Sequence, residues 1–392
     1  MRSLRRTFGG PAPTKEELDR ALRATDLDRT LACFDAGTLV ATAGILTYEM
    51  TVPGGRSVPT AGVTRVTVLP THRRRGILTA MMRRQLSDIH ERGEPLAALY
   101  ASEAPIYGRF GYGLATYQAE IEVDRHRSRF RPDQPDPGQM RLVDASQARP
   151  EFQRVWESSR LSQVGMLKLR DGDWDLLLAD NERFREGATE HYRVLYQQGG
   201  SSLGFILYRL RPKWTDDQPD YTLEIEMLIA STPAAYARLW RYCLDVDLIS
   251  SVKAQMRPSQ EPLRFLLEDP RAARTKVVDG IWLRLVDCKA ALSARKYAAR
   301  GRLVLQVEDE VCPWNHGRLL LNASEQGAEC RETNEEADLL VDVSDLAAIY
   351  LGANPFSLLA TAGRVRELRP GAVAKGDLLF HSNQVAWCPS HF

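Results

Sequence analysis

One unit of sequence occurs twice, and it constrains the fold more than any other feature. Val63–Leu86 (VTRVTVLPTHRRRGILTAMMRRQL) and Thr222–Leu244 (TLEIEMLIASTPAAYARLWRYCL) each run from an apolar strand through a short threonine-containing turn into an amphipathic helix. In the first copy Ile77, Leu78, Met81, Met82, Leu86 and Ile89 recur at helical spacing, and Gly93 ends the helix. Such a helix has to bury its apolar stripe against another element, and the strand before it supplies one. The chain is therefore predicted to be α/β (α+β), with one sheet-and-helix design used twice. At about 100–200 residues per domain, a length of 392 residues leaves room for a third unit.

Around the first copy, Leu31–Val68 is predicted to form antiparallel strands punctuated at Asp35-Ala36-Gly37 and Pro53-Gly54-Gly55. Thr14 with Glu17 three residues on marks a capped helix before them, and PLAALYASE and QAEIEV supply later strands. The segment RPDQPDPG interrupts regular structure and sets the first expected boundary. The expected domains are 1–131, 139–285 and 286–392, the last a smaller mixture of alternating strands and short helices.

The two turns differ in chemistry. Arg73, Arg74, Arg75 and Gly76 lead the first strand into its helix, whereas Ser231–Arg238 (STPAAYAR) has neither arginine cluster nor glycine. A helix N-terminus presents unpaired N–H groups and about half a positive charge, a glycine admits close backbone approach, and arginines add forked donors. The first turn is thus read either as a cradle for a pyrophosphate or as a solvated basic turn, and the second is a degenerate duplicate. Lys+Arg 52 against Asp+Glu 51 leaves a net charge of +1, so anion binding has to be local and no overall field draws the chain to nucleic acid or an anionic membrane.

Six scattered cysteines without a CxxC pair fit a reducing compartment and buried structural roles. Cys312, His316, Cys388 and His391 have spacings that match no standard zinc finger, and no metal is expected. The twin arginine near the N-terminus is followed by Gly-Gly-Pro-Ala-Pro where an export signal needs an apolar run. No window approaches the roughly 18 apolar residues of a membrane span. A cytoplasmic protein is expected.

The strand, turn, glycine and helix resemble the acetyl-CoA loop of the GCN5-related N-acetyltransferase (GNAT) superfamily, with Arg73 and Gly76 on its pattern and Leu78 departing from the usual small residue. PTAGVTRVTVLPTHRRRGILTAMM and ASEAPIYGRFGYGLAT resemble more closely its enhanced intracellular survival (Eis) branch, as do DGIWLRLVD, LAAIYLGA and the final Phe. The resemblance implies an acetyl-CoA-binding GNAT domain, a second GNAT-like domain without cofactor, a sterol-carrier-protein-like domain, and a hexamer. It places Val66, Thr67 and Val68 along the pantetheine arm, and Arg74, Arg75, Gly76, Ile77, Leu78 and Thr79 at the pyrophosphate. It sets Ser102 and Glu103 beside the cofactor, Tyr107 as general acid and the Phe392 carboxylate as general base. Tyr100, Tyr112 and Tyr117 are expected to pack rather than react.

The implied reaction is acetyl transfer from acetyl-CoA to a primary amine of an aminoglycoside, a polyamine or a lysine side chain. Asp279 matches one carboxylate that holds such amines in the family, while Thr7 and His391 stand where acids are sought, which weakens attraction for polycations. Two rival classes are a lipid- or sterol-binding protein acting through its last domain and a scaffold acting through the duplicated one. The intact basic turn, Tyr107 and the terminal Phe argue against a vestigial transferase.

Overall fold

A computed structural model describes residues 13–131 and 137–392. Helix α1 (Lys15–Arg23) opens with the expected capping box: the Glu17 amide donates to the Thr14 hydroxyl at 3.2 Å and the Thr14 amide to the Glu17 carboxylate at 3.0 Å. Strands β1 (Thr30–Asp35), β2 (Thr38–Val52) and β3 (Arg56–Val68) follow as a meander. Both breaks are turns with left-handed residues: Ala36 and Gly37 at the first, Gly54 and Gly55 at the second. Then come α2 (Ile77–Glu91), β4 (Leu96–Tyr100), α3 (Ala104–Gly108), β5 (Gly113–Leu114) and β6 (Tyr117–Asp124).

The second copy has β7 (Gln139–Leu142), α4 (Ala145–Arg160), α5 (Asp171–Leu177), β8 (Tyr192–Gln198) and β9 (Ser201–Arg211). A small hairpin of β10 (Trp214–Thr215) and β11 (Gln218–Pro219) leads to β12 (Tyr221–Ala230), α6 (Pro233–Asp245), β13 (Ile249–Pro258), α7 (Leu263–Leu266), β14 (Ala273–Asp279) and β15 (Ile281–Leu285). The last unit starts with α8 (Cys288–Ala294), β16 (Gly301–Glu308), β17 (Gly317–Ser324), β18 (Gly327–Glu332) and β19 (Leu339–Asp342). It ends with α9 (Val343–Tyr350), α10 (Phe356–Thr361), β20 (Val365–Glu367) and α11 (Ala372–Phe380).

The first two sheets exchange strands across the break near residues 131–139, whereas no sheet crosses residues 285–286. The first has the order β1-β2-β3-β4-β15-β5 and the second β14-β6-β13-β12-β9-β8-β7. Strand β15 therefore lies beside β4 in the first sheet, and β6 lies beside β13 in the second. Each copy gives the other a strand. Composition cannot reveal this, because a strand's alternation is equally satisfied by either sheet, whereas the exchange covers edges that each sheet would otherwise expose. The third sheet, β18-β17-β16-β19-β20, stands alone, but the chain after α11 leaves it: the Trp387 amide donates to Val164 O at 2.9 Å and its indole to Met256 O at 2.6 Å, both in the second copy.

The first sheet is covered on both faces. Helix α2 puts Met82, Leu86 and Ile89 on Ile45, Ala61, Val63, Ala97 and Leu99. The other face, with Leu46, Tyr48, Met50, Ala98, Ile281 and Leu283, joins the core of the third unit. A buried ion pair, Arg284 of β15 to Asp309 at 2.7 Å, ties the two units, and its aspartate also accepts from the Asn315 amide at 3.0 Å. The interior of the third unit is occupied by Tyr297, Tyr350, Phe356 and Phe380 around a fully buried Arg295, whose guanidinium lies 4.7 Å over the Phe380 ring.

Candidate active site

The site begins with a gap between two strands. Strands β3 and β4 run parallel but pair only from Thr60–Leu96 to Gly62–Ala98; beyond that β3 continues to Val68 and β4 to Tyr100 without bonding each other. The reason lies in β3, where one extra residue sits against β2: Thr42 faces Thr67 while Gly44 already faces Thr64. Arg65 takes up the bulge with φ 54°, and the Thr42 hydroxyl donates to Arg65 O at 3.0 Å. The bulge bends β3 away from β4 and leaves the inner edge of its last residues available to a ligand.

On the α2 face this gap opens into a cleft of about 400 Å³. Eleven of the fourteen residues expected at the site line it: Val66, Thr67, Val68, Arg74, Gly76, Ile77, Leu78, Thr79, Ser102, Glu103 and Tyr107. His72, Arg73, Ile106 and Arg109 complete the wall. For His72, Ile106 and Arg109, adjacency to the basic turn and to Tyr107 is the only signal in the sequence.

Arg74 and Gly76 are both left-handed, φ 62° and 78°, so the turn folds back and Gly76 caps α2 without a side-chain bond. The first intrahelical bond is Ala80 N–H to Gly76 O at 3.0 Å, which leaves the amides of Ile77, Leu78 and Thr79 without a helical acceptor at the cleft. A methyl group at Gly76 would meet nothing within 4 Å, so what requires glycine there is backbone conformation, not space. Arg75 turns away: its guanidinium lies 3.9 Å from Asp35, which also accepts from His72 Nε2 at 3.0 Å.

Four tyrosines lie close in sequence, and the structure separates them. The Tyr100 hydroxyl donates to Ser390 O at 2.7 Å, and the Tyr117 hydroxyl donates to Asn354 Oδ1 at 2.9 Å. Tyr112 is fully buried, and among the described residues its hydroxyl has no partner. Of the four, Tyr107 alone lines the cleft. Burial pushes its pKa up, the Glu103 carboxylate acts in the same direction, and the Ser102 side chain opposes them. Its hydroxyl therefore carries a proton throughout the neutral range.

The opposite face of the gap holds the chain end. Phe392 packs on Tyr48 at 5.2 Å and Tyr100 at 5.4 Å between ring centroids, and a methyl group at Gly62, the last paired residue of β3, would come within 3.2 Å of the Phe392 ring. His391 stacks on Tyr100 at 4.2 Å. Phe392 is thus outside the cleft but at the same gap. Asp279, at the end of β14, accepts from the Trp282 indole at 2.9 Å and is not in the cleft wall. Thr7 lies outside the described residues.

The second copy has the same gap, filled. Strands β12 and β13 pair in parallel as far as Ile225–Ala254. Beyond it the buried Arg257 guanidinium donates to Leu228 O at 2.6 Å and pairs with Glu261 at 3.2 Å, while the Trp387 ring lies 5.1 Å away. At the turn, Thr232 caps α6 by accepting from the Ala235 amide, and Pro233 has no N–H to offer. Among the described residues no three His, Cys, Asp or Glu side chains are grouped to hold a metal, and Cys312 and Cys388 are buried in different cores.

A parallel pair splayed by a bulge, with a basic turn opening the following helix, defines an acyltransferase of the GNAT class, and comparison with known proteins agrees. The acetyltransferase (GNAT) domain family matches residues 1–115, a second such family residues 165–285, and a sterol carrier protein domain family residues 288–389. An N-acetyltransferase of Streptomyces avermitilis is 42% identical over 392 residues, covering 100% of this chain and 96% of that protein. The N-acetyltransferase Eis of Mycobacterium tuberculosis is 37% identical over 354 residues, 88% of this chain and 84% of Eis. The crystal structure of Eis1 from Mycobacterium abscessus superposes with a TM-score of 0.86 at 35% identity, covering 100% of this chain and 96% of that one. The chain belongs to the Eis family of N-acetyltransferases.

Proposed function

We propose that this enzyme moves an acetyl group from acetyl-CoA directly to a primary amine, with the two reactants meeting through the gap between β3 and β4. Acetyl-CoA supplies an activated thioester. The amides opening α2, with Arg74, suit its pyrophosphate, and the free edge of Val66–Val68 suits the amides of its pantetheine arm. An acceptor approaching from the other face has to lose a proton before its nitrogen lone pair can form the new C–N bond as the C–S bond breaks. The Phe392 carboxylate receives that proton, directly or through water, and Tyr107 gives its own proton to the departing thiolate. No covalent enzyme intermediate is required. The observation that carries this reading is the shared gap, with Tyr107 on one face and Phe392 on the other.

Adding a few residues after Phe392 tests the proposal, since it moves the carboxylate and leaves a neutral amide in its place. Turnover should be largely abolished while acetyl-CoA affinity and melting temperature stay near wild type. Full turnover in the extended protein would return the base to Glu103 on the cleft side.

A further inference from the structure

The chain end reaches the first gap by way of the second. In the second copy the parallel pair is opened by the same device as in the first: Glu226 is one residue too many in β12 against β9. Strand β13 likewise carries one too many against β6, with Met256 left-handed at φ 53°. Helix α6 packs Leu239 and Trp240 with Ile225 and Leu228 on one face of this sheet. The other face holds Phe152, Phe205, Leu207, Met227 and Ile229, and Trp387 is the one residue that the last unit contributes to that core. The Trp387 indole donates to Met256 O at 2.6 Å, its ring lies 5.1 Å from the Arg257 guanidinium, and its amide donates to Val164 O at 2.9 Å. Gln163 Nε2 donates to Val385 O at 2.7 Å, and a methyl group at Gly165 would come within 3.0 Å of Trp387 O. The same short segment is docked on β2: the Gly165 amide donates to Thr51 O at 2.8 Å and the Lys168 amide to Glu49 O at 2.9 Å. Phe392 holds the matching position in the first copy, on the face opposite α2. The last residues of the chain thus visit both gaps from the same side.

We infer that the second gap is the socket that sets the chain end in the active site, and that Trp387 is a positioning residue for the transfer. The inference rests on the transfer reaction proposed above. A chain end is mobile unless it is tied down. At about 3.3–3.6 Å per extended residue, the stretch from Trp387 to Phe392 spans at most about 18 Å, so an anchored Trp387 confines Phe392 to the neighbourhood of the first gap. From there the Tyr100 hydroxyl, donating to Ser390 O at 2.7 Å, and the rings of Tyr48 and Tyr100 complete the course. The duplicate thus uses its splayed strands for a side chain of its own chain instead of a cofactor.

The test compares the full-length wild type with Trp387→Ala and Trp387→Phe, using hexylamine and spermidine as amine probes. In Trp387→Ala, kcat should fall about 10²-fold, the cost of misplacing a reacting group by about 1 Å, while the acetyl-CoA dissociation constant stays at the wild-type value. Carboxypeptidase Y, followed by intact mass, should remove Phe392 faster from this variant than from the wild type. Trp387→Phe keeps a ring beside Arg257 and loses only the bond to Met256 O, so it should restore most of kcat. Where Trp387→Ala does not fold, Trp387→Phe combined with Gln163→Ala, which also removes the bond to Val385, takes its place. Wild-type kcat in the folded variant, a chain end trimmed no faster, or an equal loss of acetyl-CoA affinity would overturn the positioning role. Full turnover in the protein extended after Phe392 would overturn the reaction and this role with it. Lost turnover there, with wild-type kcat in Trp387→Ala, would overturn the positioning role alone. Acetylation of neither amine by the wild type would overturn both.

Discussion

Replacing Tyr107 by Phe separates chemistry from packing. The ring lies in a core with Leu99, Phe110 and Tyr112, and phenylalanine keeps all of that burial. What is lost is one hydroxyl and its interaction with Ser102, about 1 kcal/mol of stability for a typical hydrogen bond. Loss of a general acid lowers kcat by about 10²–10⁴, or about 2.7–5.4 kcal/mol in the barrier at 1.36 kcal/mol per decade. The catalytic effect should therefore exceed the stability effect several-fold. Thiol release from acetyl-CoA at saturating amine measures the first, and thermal melting the second. The pH profile gives an independent check. A hydroxyl whose pKa is raised donates fully through the neutral range and loses its proton only above the ordinary tyrosine value of 10.0, so the wild-type alkaline limb should lie beyond that value and vanish in Tyr107→Phe. Near wild-type kcat, or an unchanged alkaline limb, would show that the thiolate takes its proton elsewhere.

The two arginines of the turn should differ: Arg74→Ala should raise the acetyl-CoA dissociation constant more than Arg75→Ala, because Arg75 faces Asp35 instead of the cleft, and calorimetric titration of both variants decides it. The same titration of the wild type should saturate at one acetyl-CoA per chain, since Arg257 fills the second gap; two equivalent sites would refute that. Gly113→Ala should destabilise by several kcal/mol or prevent folding, because the added methyl would lie 1.8 Å from the Ser344 carbonyl oxygen of α9, and backbone cannot yield as a side chain does; an unchanged melting temperature would contradict it. Arg284→Met should cost about 3–5 kcal/mol by stranding Asp309 in the core, whereas Arg284→Met combined with Asp309→Leu should recover much of it, as chemical denaturation would measure.

The sequence by itself determined the local pieces of this enzyme. The period of the apolar residues set α2, Gly76 and its arginines set the anion turn, and Thr232-Pro233 set a helix start without glycine or arginine, because each depends on contacts within a few residues. Tyr107 could be chosen among four tyrosines only through family resemblance, since a hydroxyl's partners lie far away in the chain: Ser390 for Tyr100 and Asn354 for Tyr117. Tertiary structure alone decided which sheet β6 and β15 join, for an alternating strand fits any edge that matches its apolar face. It also decided the gap, which arises from a one-residue excess against β2 that is invisible in β3 itself, and with it the placing of Phe392 on one face and Tyr107 on the other. Those placements depend on register and on long-range packing, neither of which leaves a mark in neighbouring residues.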